Sequence, residues 1–426
     1  MLSYIKKIFK NLGPGVITGA ADDDPSGIAT YSQTGAQFGY GLLWTAIFML
    51  PFQAAIQEAC ARIGAVTGKG LAAVIKENYS KKILYGVVIL VLVANIINIG
   101  ADIGAMAAAA NLVIPANFVV LALFFTALTL SFEIFTSYKT YSGILKWLCL
   151  FIFAYPLTMF IVHEPWGTVL RATFVPHIEF SFQFLFIVIG VLGTTISPYM
   201  FFWEASEEVE EERENNMLSA STRPNITHSY IRNLRLDNFA GMLFSEIGTW
   251  SIIAVAATVL NAHGITDIKT AADAARALEP LVSSFPNAGL VAKIIFATGI
   301  VGLGLLAVPI LAGSVSYAIS EVFSWKEGLS LKLREAQGFY GVIALATLIG
   351  LLINFIGINP MKALVYTAVI NGVVAVPLIF IIALVAKNEK IMGKYKSGKL
   401  SKIIVWITFV GMAIAAIAMF VTFGKG

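Results

Sequence analysis

Eleven apolar runs fix the fold class of this chain. Each is about 20 residues or longer, the length a helix needs to cross a bilayer core. They lie near residues 12–35, 41–65, 83–111, 117–137, 142–163, 182–206, 238–262, 288–322, 337–356, 362–387 and 402–423. With 58% of residues hydrophobic and 13% charged, the chain departs from soluble domains, which run nearer half apolar and a quarter charged. The runs are long rather than short and alternating, so the spans are helices and not the strands of a barrel. The expectation is an all-α integral membrane protein with eleven membrane-spanning helices, in contact with a lipid bilayer.

The loops report orientation. A cytoplasmic N-terminus puts 23 of the 29 basic residues inside, leaving only Arg171, Lys269, Arg276, Lys293, Lys362 and Lys425 outside. That bias predicts an N-terminus in the cytoplasm and, after an odd number of spans, a C-terminus outside an inner or plasma membrane. Met1 to Lys10 read as a short basic lead without a small-residue cleavage site. The net charge of +4 is mild and says nothing about nucleic acid, and no nucleic-acid partner is expected. Cys60 and Cys149, with no CxxC or histidine cluster nearby, read as small core residues. There is no Walker A, nucleophile elbow or HExxH, so nothing supports an enzyme or an ATP-driven pump. His163, His177, His228 and His263 fall in predicted loops, leaving no imidazole relay within a span.

Span 1 breaks the apolar pattern. Asp22, Asp23 and Asp24 stand in a row, followed by Pro25 and Gly27. A carboxylate at membrane depth costs roughly 2.5–3.5 kcal/mol even on the lenient insertion scale, and proline with glycine interrupts the helix. Interrupted backbone survives there only where protein or water satisfies its groups. Span 6 echoes this: Pro198 follows Gly193 by five residues, as Pro25 follows Gly19 by six. Spans 1–5 (12–163) and 6–10 (182–387) then form two repeats, inverted because five is odd, with span 11 (402–423) outside them. Interrupted helices at matching places in two halves point to a transporter's substrate site.

The first half-helices end near Ala21 and Thr194, where unpaired carbonyls present the negative end of a helix dipole. Asp24, those two carbonyls and the Ser197 and Thr195 hydroxyls make an all-oxygen set, suited to Mg2+, Mn2+ or Ca2+. Asp24 and Ser197 fit equally well as N-caps, with Pro25 and Pro198 at the first helical position. Capping and ligation are compatible, but a cap alone does not require a charge at this depth. Asp22 and Asp23 either line an access path or meet hydroxyls and water. Met200 offers a thioether or simply packs. Asp102 in span 3 reads as a gate or a supporting carboxylate, and Asn371 in span 10 reaches the cavity or bonds another helix. Glu204, Glu207, Glu208 and Glu211 share one helix face, read as solvated, with an acidic vestibule as the alternative.

Three segments carry a resemblance. GPGVITGAADDDPSGIATYSQTGAQFGYGLLW, QEACARIGAVTGKGLA (57–72) and GTTISPYMFFWE resemble the Nramp divalent-metal transporters. The resemblance implies a LeuT-type fold: two inverted five-helix repeats plus one extra helix, with helices 1 and 6 broken at the midplane. It also implies metal binding by Asp24 and backbone ligation by Ala21 and Thr194. The departures matter. The family's Asp-Pro-Gly-Asn is Asp24-Pro25-Ser26-Gly27 here, so Gly27 stands where a ligating amide is expected. Its Met-Pro-His is Ser197-Pro198-Tyr199, which removes a soft sulfur ligand and a histidine implicated in proton transfer. Asp102 is kept, but the glutamate expected three residues on is Ala105, and the helix 9 arginine is missing. This pattern resembles the Nramp-related magnesium transporter branch, in which smaller ligand side chains leave room for an ion that dehydrates reluctantly.

The expectation is therefore a single polytopic, monomeric domain that takes up Mg2+ and Mn2+ by alternating access without proton coupling. It needs no cofactor beyond the transported cation. A divalent cation moving inward gains about 2 × 2.3 kcal/mol per 100 mV, enough to drive accumulation. The main competitor is a proton-coupled Mn2+/Fe2+ symporter. A sodium-coupled organic-solute symporter is disfavoured because Asp24 repels carboxylate substrates, and a sensor because the loops are short.

Overall fold

A computed structural model describes residues 19, 22–136, 152–214, 217–218, 224 and 226–424. The first half of predicted span 1, the beginning of span 5, Ala21 and Cys149 lie outside the described residues. α1 (Pro25–Phe38) starts at a proline and ends at Gly39, whose φ of 55° favours glycine. A 3-10 turn at Gly39–Leu42 then carries the chain through a 107° bend into α2 (Trp44–Thr67). The short α3 (Leu71–Asn78) leads to α4 (Lys81–Asn111), followed by α5 (Phe118–Phe135), α6 (Ala154–Ile161) and α7 (Trp166–Phe174).

Only Ile196 and Ser197 separate α8 (Phe182–Thr195) from α9 (Pro198–Glu214). Then come α10 (His228–Val259), α11 (Ala288–Phe323), α12 (Gln337–Ile353), α13 (Pro360–Lys387) and α14 (Lys399–Thr422). Among the described residues, seven helices are long and apolar enough to cross a membrane, or eight if α1 and α2 count as one bent span. All are helices, in the predicted order. Two boundaries shift most from the sequence reading. Helix α9 runs on to Glu214 because glutamate is a good helix former. Helix α10 begins at His228 rather than 238, capped by Thr227, whose hydroxyl accepts from the Tyr230 amide at 3.1 Å. Arg232 and Arg235 therefore lie on a helix and not in a loop.

The broken span α8–α9 is the most enclosed, with 94% of its apolar window buried, whereas α14 at the rim has 28%. Helix α14 buries Val405, Thr408, Met412, Ala416 and Met419 at helical spacing and turns Ile403, Ile407, Ile414 and Phe420 outward, an apolar face suited to lipid. Small residues let the inner helices touch. A Cβ at Gly193 would run into the backbone of Ala368 and Gly372, and one at Gly64 into the Ala205 carbonyl. The first contact seats α8 on α13 and the second α2 on α9. Cys60 is fully buried in this core.

Candidate functional site

Asp24 is extended (φ −65°, ψ 173°) and caps α1. Its Oδ1 accepts from the Gly27 amide at 2.8 Å and the Ser26 hydroxyl at 2.6 Å. Its Oδ2 accepts from Asn98 Nδ2 on α4 at 3.0 Å. The capping role holds, and it leaves a carboxylate 1% exposed, with only neutral hydrogen-bond donors on it.

The second break differs from expectation. The Ser197 hydroxyl turns back and donates to the Thr194 carbonyl at 2.7 Å and the Gly193 carbonyl at 3.0 Å. The Thr194 carbonyl, expected to be unpaired, is partnered by the residue two places beyond the end of α8. A serine just past a helix end reaches the orphan carbonyls at short range, so it serves them first. One lone pair of that carbonyl remains for a ligand.

The two breaks face each other. The Thr194 hydroxyl lies 3.5 Å from the Ser26 hydroxyl, and Thr195 Oγ1 lies 3.0 Å from the Tyr31 hydroxyl. A Cβ at Gly27 would sit 3.2 Å from Thr194 Oγ1 and 3.3 Å from Tyr31 Cε2. Where the resemblance implies room beside a small residue, the space at Gly27 is taken up by close contact with Thr194 of α8 and Tyr31 of α1. Thr194, Thr195 and Ser197 are, like Asp24, at most 1% exposed, so the site is closed to solvent here.

Asp22 and Asp23 point elsewhere. Asp22 Oδ2 accepts from Ser245 Oγ on α10 at 2.9 Å and from the Gln53 amide on α2, and Asp23 Oδ1 lies 3.3 Å from the same serine. Of the two options in the sequence, hydroxyl partners are what the structure shows. Gly19 meets Gly241 of α10 at backbone contact, which brings Ser245, one turn further, to the aspartates. Sequence reasoning missed Asn98, Gln53, Ser245 and Glu246, although a signal was present: Glu246 is a lone carboxylate inside an apolar span, and it is 4% exposed.

Asp102 lies one turn beyond Asn98 on α4, fully buried, with no hydrogen-bond partner on either oxygen among the described residues. It belongs to the same polar region as Asp24. Tyr199 and Met200 are fully buried. Asn371 is 1% exposed, and neither of its amide atoms has a hydrogen-bond partner among the described residues. The acidic face of α9 is not solvated either. Glu204 and Glu208 are buried against α10, accepting from Asn238 at 2.9 Å and Tyr230 at 3.0 Å, while Glu207 and Glu211 are half-buried. Long neighbouring helices cover α9, which periodicity in one helix does not reveal.

Among the described residues no three His, Cys, Asp or Glu side chains are grouped to hold a metal. What the described residues bring together is the Asp24 carboxylate with the Ser26 and Thr194 hydroxyls, oxygen donors of the kind a hard cation takes. Helices packed around two breaks with a buried carboxylate define a polytopic membrane transporter and not an enzyme. The family model described as "Natural resistance-associated macrophage protein-like" (Nramp) matches residues 15–422, and the chain belongs to this family. It is 25% identical over 409 residues to the divalent metal cation transporter MntH of Caldanaerobacter subterraneus subsp. tengcongensis, covering 94% of this chain and 90% of that one. To MntH of Bacillus subtilis it is 26% identical over 419 residues, covering 95% and 89%. In fold it is similar to the Eremococcus coleocola manganese transporter in complex with an aromatic bis-isothiourea substituted compound (TM-score 0.76, 14% identity, 99% of this chain and 87% of that one). It also matches MhsT in complex with L-phenylalanine (TM-score 0.59, 14% identity, 96% and 97%).

Proposed function

We propose that this protein transports divalent cations across the membrane by alternating access, taking up Mg2+ and Mn2+ without proton coupling. The observation that carries the reading is Asp24: a buried carboxylate at one helix break, linked through the Ser26 hydroxyl it accepts from to the Thr194 hydroxyl at the other. Asp24, Thr194 and Ser197, with the Ala21 carbonyl, bind the ion, while Gly27 sets the approach of α1 to α8. The relatives named as divalent metal cation transporters support the substrate class. Oxygen donors without an aligned methionine or histidine support a hard ion. The two broken helices head inverted repeats, 12–163 and 182–387, in a monomer with its N-terminus in the cytoplasm and its C-terminus outside.

One observation favours a second reading. Both oxygens of Asp102 lack partners among the described residues, which suits a proton carrier beside the metal and a proton-coupled Mn2+/Fe2+ symporter. Reconstituted protein in liposomes decides, with a Mg2+ dye and a pH dye inside and a negative internal potential. Mg2+ entry without acidification supports the first reading; Mn2+ entry with acidification and no Mg2+ entry supports the second. Asp24→Ala abolishes flux under either, and wild-type flux in that variant refutes the site.

A further inference from the structure

We infer that Asp22, Asp23 and Glu246, with Gln53 and Ser245, form a second cation station beside the first, holding a hydrated divalent ion. This rests on the reading of the chain as a cation transporter. The three carboxylates are 0%, 0% and 4% exposed. Their hydrogen bonds run to other helices: Asp22 and Asp23 meet Gln53 on α2 and Ser245 on α10, whereas Asp24 accepts from Asn98 on α4.

The pocket holds too many acceptors for its donors. The single Ser245 hydroxyl hydrogen is shared between Asp22 at 2.9 Å and Asp23 at 3.3 Å and satisfies one of them at a time. Asp22 Oδ1, Asp23 Oδ2 and both Glu246 oxygens have no hydrogen-bond partner among the described residues. Asp22 and Asp23 are also the charged groups that act on Glu246, so its electrostatic neighbours are negative. Three buried carboxylates with no positive charge beside them among the described residues are strongly unfavourable unless a cation or protons join them.

Gln53 points to the cation. It is neutral, 0% exposed, and comes from α2, a helix separate from the acids. Its amide nitrogen donates to Asp22, and its Oε1, on the same amide, is buried without a partner among the described residues. A side chain placed only to quiet the carboxylates would bring donors alone; this one adds another hard acceptor. The acids are not grouped to enclose a bare ion, so the ion is held through its water shell. Mg2+ keeps several waters in such sites.

The test counts bound metal on the full-length protein in nanodiscs, using Mn2+ as a paramagnetic probe with Mg2+ as competitor. The wild type binds two Mn2+ per chain. Glu246→Gln, close in shape, retains one Mn2+ and weakens the other. Gln53→Leu weakens the same one. A group that holds a metal through water costs about 10–100-fold in affinity when removed, and that is the expected loss in both variants. Asp24→Asn removes the other Mn2+. Ser245→Ala replaces Glu246→Gln if that variant does not fold. A wild type that binds one Mn2+, lost in Asp24→Asn and unchanged in Glu246→Gln, overturns the second station and leaves the Asp24 site standing. Two bound Mn2+ with neither affected by Glu246→Gln or Gln53→Leu overturn it as well. One Mn2+ kept in Asp24→Asn and lost in Glu246→Gln supports the station and refutes the Asp24 site.

Discussion

The Tyr31 hydroxyl lies 3.0 Å from Thr195 Oγ1, joining the second turn of α1 to the last residue of α8. Both residues are buried, so each hydroxyl has little access to water as a substitute partner. Tyr31→Phe removes this tie between the broken helices. The expected loss is about 0.5–1.5 kcal/mol of stability, read as a lower unfolding temperature in detergent. An unchanged unfolding temperature together with unchanged flux would show that the two breaks are held by other contacts.

Asn98 is a neutral donor on Asp24 Oδ2, and an incoming cation competes with it. Asn98→Ala leaves that oxygen bare in the empty protein. Hydrogen bonds to a charged group are worth about 1.5–3 kcal/mol, so the metal-free variant unfolds at a lower temperature. The rise in unfolding temperature on adding Mn2+ becomes larger than in the wild type. Equal metal-dependent shifts in the two proteins would separate Asn98 from the cation site.

Gly27 has Thr194 Oγ1 and Tyr31 Cε2 within 3.3 Å of where a Cβ would stand. Gly27→Ala forces a neighbour to give by a few tenths of an ångström. Gly27→Asn places three further heavy atoms in the same contact, and overpacking of that kind costs about 1–3 kcal/mol. The asparagine variant is therefore expected to be less stable and slower in Mg2+ flux, rather than a working soft-metal transporter. Stable protein with Cd2+ or Fe2+ flux above wild type would contradict the close packing.

Glu164 lies in the short connection between α6 and α7, 6% exposed, and accepts from Thr258 Oγ1 at 2.6 Å and the Tyr40 hydroxyl at 3.1 Å. Burial pushes its pKa above the ordinary carboxylate value, opposed by the hydrogen bonds from Thr258 and Tyr40. The folded protein thus binds this proton more tightly than the unfolded chain. Its contribution to stability improves as pH falls from the raised folded value toward the ordinary value of about 4.3, and is level below that. Glu164→Gln removes this slope. The difference in unfolding temperature between variant and wild type is expected to narrow as the pH is lowered through that window. A difference independent of pH would place Glu164 in solvent.

Much of the architecture is written in the chain order. Runs of apolar residues fix helices because a lipid-facing backbone must satisfy its own hydrogen bonds, and Asp24-Pro25 and Ser197-Pro198 fix the breaks because proline lacks the amide a continuing helix needs. The capping of α1 by Asp24 follows from the same local chemistry, and so does the resemblance that led to the family. What the chain order left open depends on contacts between segments far apart in sequence. Ser197 spends its hydroxyl on the carbonyls behind it; Gly27 is filled by Thr194; the glutamates of α9 are covered by other helices; Asp22 and Asp23 share Ser245, 223 and 222 residues away, instead of joining Asp24. Periodicity says which residues share a face of one helix but not which helix lies against it. Only packing decided that three consecutive aspartates serve two different neighbourhoods, because the backbone turns between Asp23 and Asp24 and sends their carboxylates toward different helices.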